Sequence, residues 1–197
     1  MHSTGEDPDS LHSKAIGKDA AVSIRTISID DLPHIFHLGE KLFTARKVPN
    51  LHRTWDEYEV VSLFQGDDEY CFVAENEASE LVGFALGTMI QKSHSWKYGY
   101  LLWLGVHPYY QQSGVARRLF RHFRSVMIED GARIIMVDTE ADNDAALRFF
   151  RKVGFNHARN HVFLSMNVDE ERRRLEIKRQ ERESAGFREG RRTMRKP

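Results

Sequence analysis

The residues with the clearest chemical use lie in the run YLLWLGVHPYYQQSGVARRLFRHF, Tyr100 to Phe123. Tyr100 to Val106 is almost wholly apolar and reads as a buried strand. His107 and Pro108 stop it, because proline has no N–H for a ladder. Beyond the stop, Val115, Leu119, Phe123, Val126 and Met127 recur at helical spacing. Between strand and helix lies QQSGVA, that is Gln111, Gln112, Ser113, Gly114, Val115 and Ala116, at the junction of a strand, a small-residue loop and a helix start. Such a junction brings free backbone N–H groups and the positive end of the helix dipole to one point. Its chemistry is anion binding, with a phosphate as the fitting ligand. Gly114 lets the phosphate approach the main chain, Ala116 keeps the first turn thin, and Arg117 and Arg118 add positive charge.

The elements that must hold this cradle follow from pattern. Val22 to Ser28 alternates apolar and polar residues, as a half-buried strand does. Asp30 or Asp31 can cap a helix with Pro33 in its first turn and an apolar face of Ile35, Leu38, Leu42 and Phe43. Residues 44–54 read as a loop, and a second helix follows with Thr54 as cap and Glu57 three residues on. Residues 70–75 and 81–90 are strands joined in a hairpin by NEASE. Gly83 and Gly87 inside the second mark a bulge or a close approach. Residues 91–99 read as a turn into the strand that begins at Tyr100. Gly131 ends the long helix. Residues 133–140 form a buried strand whose polar end carries Asp138 and Glu140. Asp142 or Asn143 caps a helix bearing Ala146, Phe149, Phe150 and Val153, which stops at Gly154, and residues 161–168 make a last strand. This order predicts an α/β fold with a mixed sheet, and the crossover helix after Val115 requires a parallel pair at its centre.

Composition bounds the rest. A chain of 197 residues, 41% hydrophobic and 11% aromatic, can bury the core of one domain with tails. Its formal net charge of zero gives no electrostatic case for nucleic acid. The single cysteine, Cys71, excludes an intramolecular disulfide, fits a reducing compartment and reads as a small hydrophobe at a strand start. No apolar run approaches membrane-spanning length and the N-terminal stretch lacks a signal core, so a cytoplasmic protein is expected. Residues 1–20 are polar and expected to be disordered. Residues 169–197 hold seven acidic and eleven basic residues and are expected to be helical to about Glu183 and disordered after it. The tail reads first as a solvated extension and second as a contact for RNA or ribosomes. His34/His37 and His157/His161 have metal-compatible spacing without an accompanying carboxylate motif, so no metal is expected. Walker-type and Gly-x-Ser-x-Gly loops are absent.

Gln111-x-x-Gly114-x-Ala116, following a strand and opening a helix, resembles the Q/R-x-x-G-x-G/A signature of the GNAT superfamily, the acetyl-CoA-dependent N-acetyltransferases. A second stretch, Val137 to Phe155 (VDTEADNDAALRFFRKVGF), resembles the family's later strand-to-helix segment. The resemblance runs from about Val22 to Val168, which sets a domain at 21–168 between the two tails. It implies a mixed central sheet of six to seven strands with splayed central parallel strands and about four flanking helices. It implies acetyl-CoA as co-substrate and transfer of its acetyl group to a primary amine, whether a protein N-terminus, a lysine or a small molecule. The diphosphate would lie on Gln112 to Arg117 and the pantetheine along Leu104, Gly105 and Val106, with an N–H near Val106 for the oxyanion. Asn143 matches the position whose side chain meets the pantetheine, and its own spacing makes it a helix cap as well.

By the same resemblance, Asp138 matches the place where protein N-terminal acetyltransferases carry a glutamate base, and Glu140 is its rival. Both also read as polar strand ends facing solvent. Phe150 occupies the place of a tyrosine that in many members protonates the leaving thiolate; phenylalanine cannot donate. The short run from Phe155 to Val168 leaves little room for the family's final hairpin, which implies a more open acceptor site or one completed by a second subunit of a homodimer. Two other readings stay beside the enzyme: a CoA-binding module without catalysis, supported by Phe150, and a protein whose tail docks on RNA or ribosomes.

Overall fold

The computed structural model describes residues 21–44, 55–93, 96–162, 164 and 166–193. The expectations for residues 1–20 lie outside them, as does Thr54 itself. The chain divides into two units, Met1–Ala158 and Arg159–Pro197.

The first unit is built on a five-stranded sheet of strands in sequence order. These are β1 (Val22–Thr26), β2 (Cys71–Asn76), β3 (Leu81–Ser93), β4 (Trp96–Val106) and β5 (Ile134–Val137). β1 to β4 pair antiparallel; β4 and β5 pair parallel. Between β4 and β5 runs α3 (Val115–Glu129), the crossover helix that a parallel pair requires. Val115, Leu119, Phe123 and Met127, all on one helix face, are fully buried with Phe72, Ala85 and Leu101 of the sheet. Gly87 lets α3 lie this close: a Cβ there would stand 2.7 Å from the Tyr100 carbonyl oxygen and run into the Phe123 ring. α4 (Asp144–Val153) adds Phe149, Phe150 and Val153 to the same layer.

The opposite face is covered by α1 (Leu32–Leu42) and α2 (Glu57–Asp67). Ile35, Leu38, Trp55, Val60 and Leu63 pack there on Cys71, Val73, Phe84, Leu86 and Trp103. Each large side chain so buried contributes roughly 1.5–3 kcal/mol. Trp55 Nε1 donates to Phe36 O at 3.0 Å, which ties the segment before α2 to α1. Burial pushes the Cys71 thiol up to about 12, so it stays a protonated core hydrophobe.

The turn from β1 into α1 is fixed by charge. Arg25 donates two hydrogen bonds to Asp31, at 2.7 and 2.8 Å, and also bonds Glu75 on β2. Ser28 N–H and Oγ donate to Asp31 Oδ2 at 2.7 and 2.8 Å. Burial works against the Asp31 charge, but the bonds from Arg25 and Ser28 outweigh it and hold the carboxyl at about 2.

The structure departs from several sequence expectations. The sheet has five strands rather than six or seven, because the described residues of 161–167 take no strand conformation, so the parallel pair ends the sheet instead of sitting at its centre. Residues 91–93 and 96–99, read as a turn, belong to β3 and β4, since Lys97, Tyr98 and Gly99 pair with Gln91, Ile90 and Met89. The cap of α2 is Asp56, whose carboxylate accepts from Glu59 N–H at 2.8 Å. Asp31 turns its carboxylate back to Arg25 and Ser28 and makes no side-chain cap bond to α1. In the second unit, α5 (Val168–Thr193) continues past Glu183. It opens with the Asn167 carboxamide accepting from Asp169 N–H at 3.1 Å, and its Leu175 and Ile177 are exposed.

The Asp31 carboxyl titrates below its ordinary value of 3.8 when folded, so its contribution is complete above that value and is lost as the pH falls toward 2. Asp31→Asn should therefore lower stability by about 1–3 kcal/mol at pH 7. Urea titrations of both proteins should show that gap closing between pH 4 and pH 2.

Candidate functional site

The cradle forms where β4 gives way to α3. Pro108–Tyr110 is one turn of 3-10 helix, and the chain then takes left-handed backbone at Gln112 (φ 63°) and at Gly114 (φ 89°) before α3 begins. Alternating handedness of this kind turns successive N–H groups into one concavity. The first backward bond of the helix is Arg118 N–H to Gly114 O at 3.0 Å, so the N–H groups of Val115, Ala116 and Arg117 precede the ladder.

Side chains fasten this loop from behind. Ser113 is buried and its Oγ donates to Tyr110 O; the Tyr110 hydroxyl accepts from Asn76 Nδ2 at 3.0 Å. The Arg118 guanidinium donates to Val22 O on β1. Of the two arginines assigned to the anion, Arg117 is exposed at the helix start and Arg118 is tied to the sheet. His107, half-buried at the end of β4, has its pKa lowered by burial and by Lys41, against an opposing effect of Glu80. Its imidazole is neutral near pH 7, and Nδ1 accepts from Tyr109 N–H at 3.4 Å.

The strand leading to the cradle is paired unequally. On the β3 side the ladder runs to Gly83↔Val106, with one irregularity near its far end, between Gln91 and Ser93, and one nearer the cradle: Leu86 faces Trp103 and Gly87 faces Leu101, which leaves Leu102 as the extra residue of a bulge. On the β5 side pairing covers only Tyr98↔Ile134 to Leu101↔Val137. His107 N–H bonds Val82 O at 2.8 Å, so by alternation Leu104 and Val106 turn their N–H and C=O groups away from β3. No strand among the described residues pairs with them there, and Val106 O accepts from the Gln111 side chain at 3.1 Å. Half a strand edge thus opens toward the cradle. Gly105 contributes nothing to that edge by being glycine: a Cβ would meet Phe84 at 2.7 Å and Leu42 at 2.9 Å, so its reason is packing.

Asp138 is the first residue beyond the last β4–β5 pair, exposed, and accepts a hydrogen bond from the Tyr100 hydroxyl. Glu140 lies two residues on, in the loop to α4, and its carbonyl accepts from Asn143 N–H at 3.0 Å. Asn143 is the cap of α4: Oδ1 accepts from Ala146 N–H at 3.1 Å while Nδ2 donates to Thr139 Oγ1 at 3.1 Å. Phe150 packs against Phe149 and Phe155 with ring centroids at 5.3 and 5.4 Å. The structure thus brings the cradle and the open edge of β4 into one run and sets Asp138 at the end of the paired region. Tyr100 was missed at the sequence level, because its partner is 38 residues away and only the parallel register joins them. Among the described residues, no three metal-ligating side chains gather, and no helix is long and apolar enough to cross a membrane.

A family model described as the acetyltransferase (GNAT) family matches residues 35–155. The fold is similar to that of the aminoglycoside N-acetyltransferase AAC(6')-Iy, solved with a bisubstrate analogue of CoA and acetylneamine. That match has a TM-score of 0.61 and 20% identity, covering 75% of this chain and 99% of that one. It is similar too to Ard1 from Thermoplasma volcanium, with a TM-score of 0.60 and 22% identity over 71% of this chain and 86% of that one. An aminoglycoside acetyltransferase from an uncultured soil metagenomic sample, solved with sisomicin, matches with a TM-score of 0.59 and 21% identity over 74% and 95% of the two chains.

The positive φ of Gly114 makes a side chain there costly. Gly114→Val should destabilise the protein by about 1–2 kcal/mol. Gly66→Ala, in α2 with open space around its Cβ, should be neutral or stabilising by up to about 1 kcal/mol. Urea unfolding of both variants measures the contrast.

Proposed function

The chain belongs to the acetyltransferase (GNAT) family, and from that premise we propose that it transfers an acetyl group from acetyl-CoA to a primary amine by direct attack on the thioester. The observation that carries this reading is the continuity of two features: an N–H concavity at Gln112 to Arg117 and, leading into it, a strand edge at Leu104 to Val106 with outward main-chain groups. A diphosphate fits the first and an amide-bearing arm fits the second. Charge and shape agree, since Gly114 leaves room at the main chain and Arg117 stands at its rim.

Acetyl-CoA supplies the acyl carbon, at which an N–C bond forms as the C–S bond breaks and the electron pair leaves on sulfur. The chain supplies position and proton handling. N–H groups of Gln112 to Arg117 hold the diphosphate, and the main chain of Leu104 and Val106 orients the arm. Val106 N–H points to the side where an acyl oxygen gaining charge can accept from it. Asp138 takes the proton of the attacking amine, directly or through one water, with Tyr100 fixing the carboxylate. Glu140 is the second candidate for that role, and Asn143 adds a side-chain contact to the arm while capping α4. Phe150 offers no proton, so sulfur leaves as the thiolate, which a thiol pKa of about 8.5 allows. A reducing cytoplasm suits both this chemistry and the lone thiol.

Calorimetry with CoA and a thiol-release assay with acetyl-CoA and primary amines test the proposal together. Gly114→Val should weaken CoA binding at least about tenfold by closing the concavity. Asp138→Asn should lower kcat by a factor of about 10²–10⁴ with CoA affinity kept. Unaltered kcat in Asp138→Asn with loss in Glu140→Gln would transfer the base to Glu140. Tight CoA uptake without turnover of any amine would leave a binding module.

A further inference from the structure

On the face of the sheet opposite α3, the paired part of β4 and β5 carries a strip that starts at Tyr100 and Asp138 and runs on through residues the acetyl-transfer machinery does not use. Gly99 and Ile135 lie on the α3 side, where a Cβ at Gly99 would stand 2.7 Å from the Met127 sulfur and 3.5 Å from Ile135. Their neighbours therefore point the other way: Tyr98 beside Ile134 and Tyr100 beside Met136. Trp96 continues the row, stacked on Tyr98 at 6.2 Å between centroids. Trp96, Ile134 and Met136 are 45%, 46% and 37% exposed, which is unusual company for the outer strand of a sheet.

Charge is graded along this strip. At one end is Asp138, bonded to the Tyr100 hydroxyl, and beside Tyr100 on β3 the Thr88 hydroxyl donates to Asp67 at 2.8 Å, so this end is acidic. At the other, the Arg133 guanidinium lies 4.9 Å from the centre of the Trp96 ring. Five residue steps, from Arg133 to Asp138, separate the two ends, about 16 Å. Between them the surface is aromatic and aliphatic.

We propose that this strip is the acceptor bed and that it selects a monoamine with an apolar or aromatic body. This rests on the acetyl-transfer reading and adds the class of acceptor. The ammonium sits at Asp138, beside the end of β4 where the thioester is delivered. The body lies across Tyr100, Met136, Tyr98 and Ile134, whose exposed area it covers. A second positive charge at the far end meets Arg133 rather than a carboxylate, so polyamines are disfavoured. A neutral or anionic far end is accepted.

The test is a thiol-release panel with the full-length protein and acetyl-CoA, using phenethylamine and hexylamine as apolar monoamines and spermidine and an aminoglycoside as polycations. The apolar monoamines should exceed the polycations in kcat/KM by at least tenfold. Tyr98→Ala should raise KM for phenethylamine several-fold with a smaller change in kcat. Arg133→Glu, an exposed change, should narrow the gap by improving spermidine. The proposal is overturned if polycations equal or surpass the monoamines in the wild type, or if Arg133→Glu leaves the ratio unmoved. Failure of CoA uptake would instead remove the acetyl-transfer reading, and the two failures are read from separate measurements.

Discussion

The unequal pairing of β4 is the constraint on which the rest of this structure depends. Along β3 the strand is held almost from end to end; along β5 it is held only from Tyr98 to Leu101. A main chain cannot leave amide groups unmet inside a protein without cost. In the upper half of β4, Gln111 closes over Val106 O, and no strand among the described residues pairs with Leu104 or Val106 on the β5 side. The bulge at Leu102 marks the change between the two regimes. Below it odd-numbered residues such as Gly99 and Leu101 face α3, and above it Leu104 and Val106 do.

The two helical layers make that geometry durable. α3 is pressed onto the sheet through Val115, Leu119, Phe123 and Met127, so the start of the helix cannot drift from the end of β4. On the other face Trp55, Phe84 and Trp103 pack ring on ring, with Trp55 and Phe84 centroids 5.4 Å apart and Trp103 edge-on to Trp55 at 5.1 Å. The loop between strand and helix is thus clamped by its neighbours, and the clamping side chains are Ser113, Tyr110, Asn76 and Arg118 rather than the groups that face the ligand. Binding is left to the main chain, whose donors have fixed directions and need no reordering when an anion arrives.

Charge is used sparingly. Arg25, Asp31 and Glu75 spend theirs on the first turn of the fold, and His107 stays neutral at the mouth of the cradle. Near the end of β5, Asp138 is held by a phenol, with Glu140 two residues on. Carboxylates gathered at one end of a ring-lined surface would make the proposed acceptor bed unlike an acidic pocket, and the difference lies in side chains that the fold itself does not require.

The sequence alone determined the loop of the cradle, its helix, a cap for α4 at Asp142 or Asn143, the stop at Gly154, and the crossover that makes β4 and β5 parallel. These are local matters: glycine at positive φ, proline ending a ladder, and apolar residues at a spacing of three and four each declare themselves within a few positions. Only the tertiary structure decided that Tyr100 meets Asp138, that Arg118 serves the sheet, that Gly105 is glycine for Phe84 and Leu42, and that Trp96, Tyr98, Ile134 and Met136 share one exposed face. Those facts depend on register between strands separated by a whole helix. Register is set by the summed packing of both layers, so no short stretch of residues contains it.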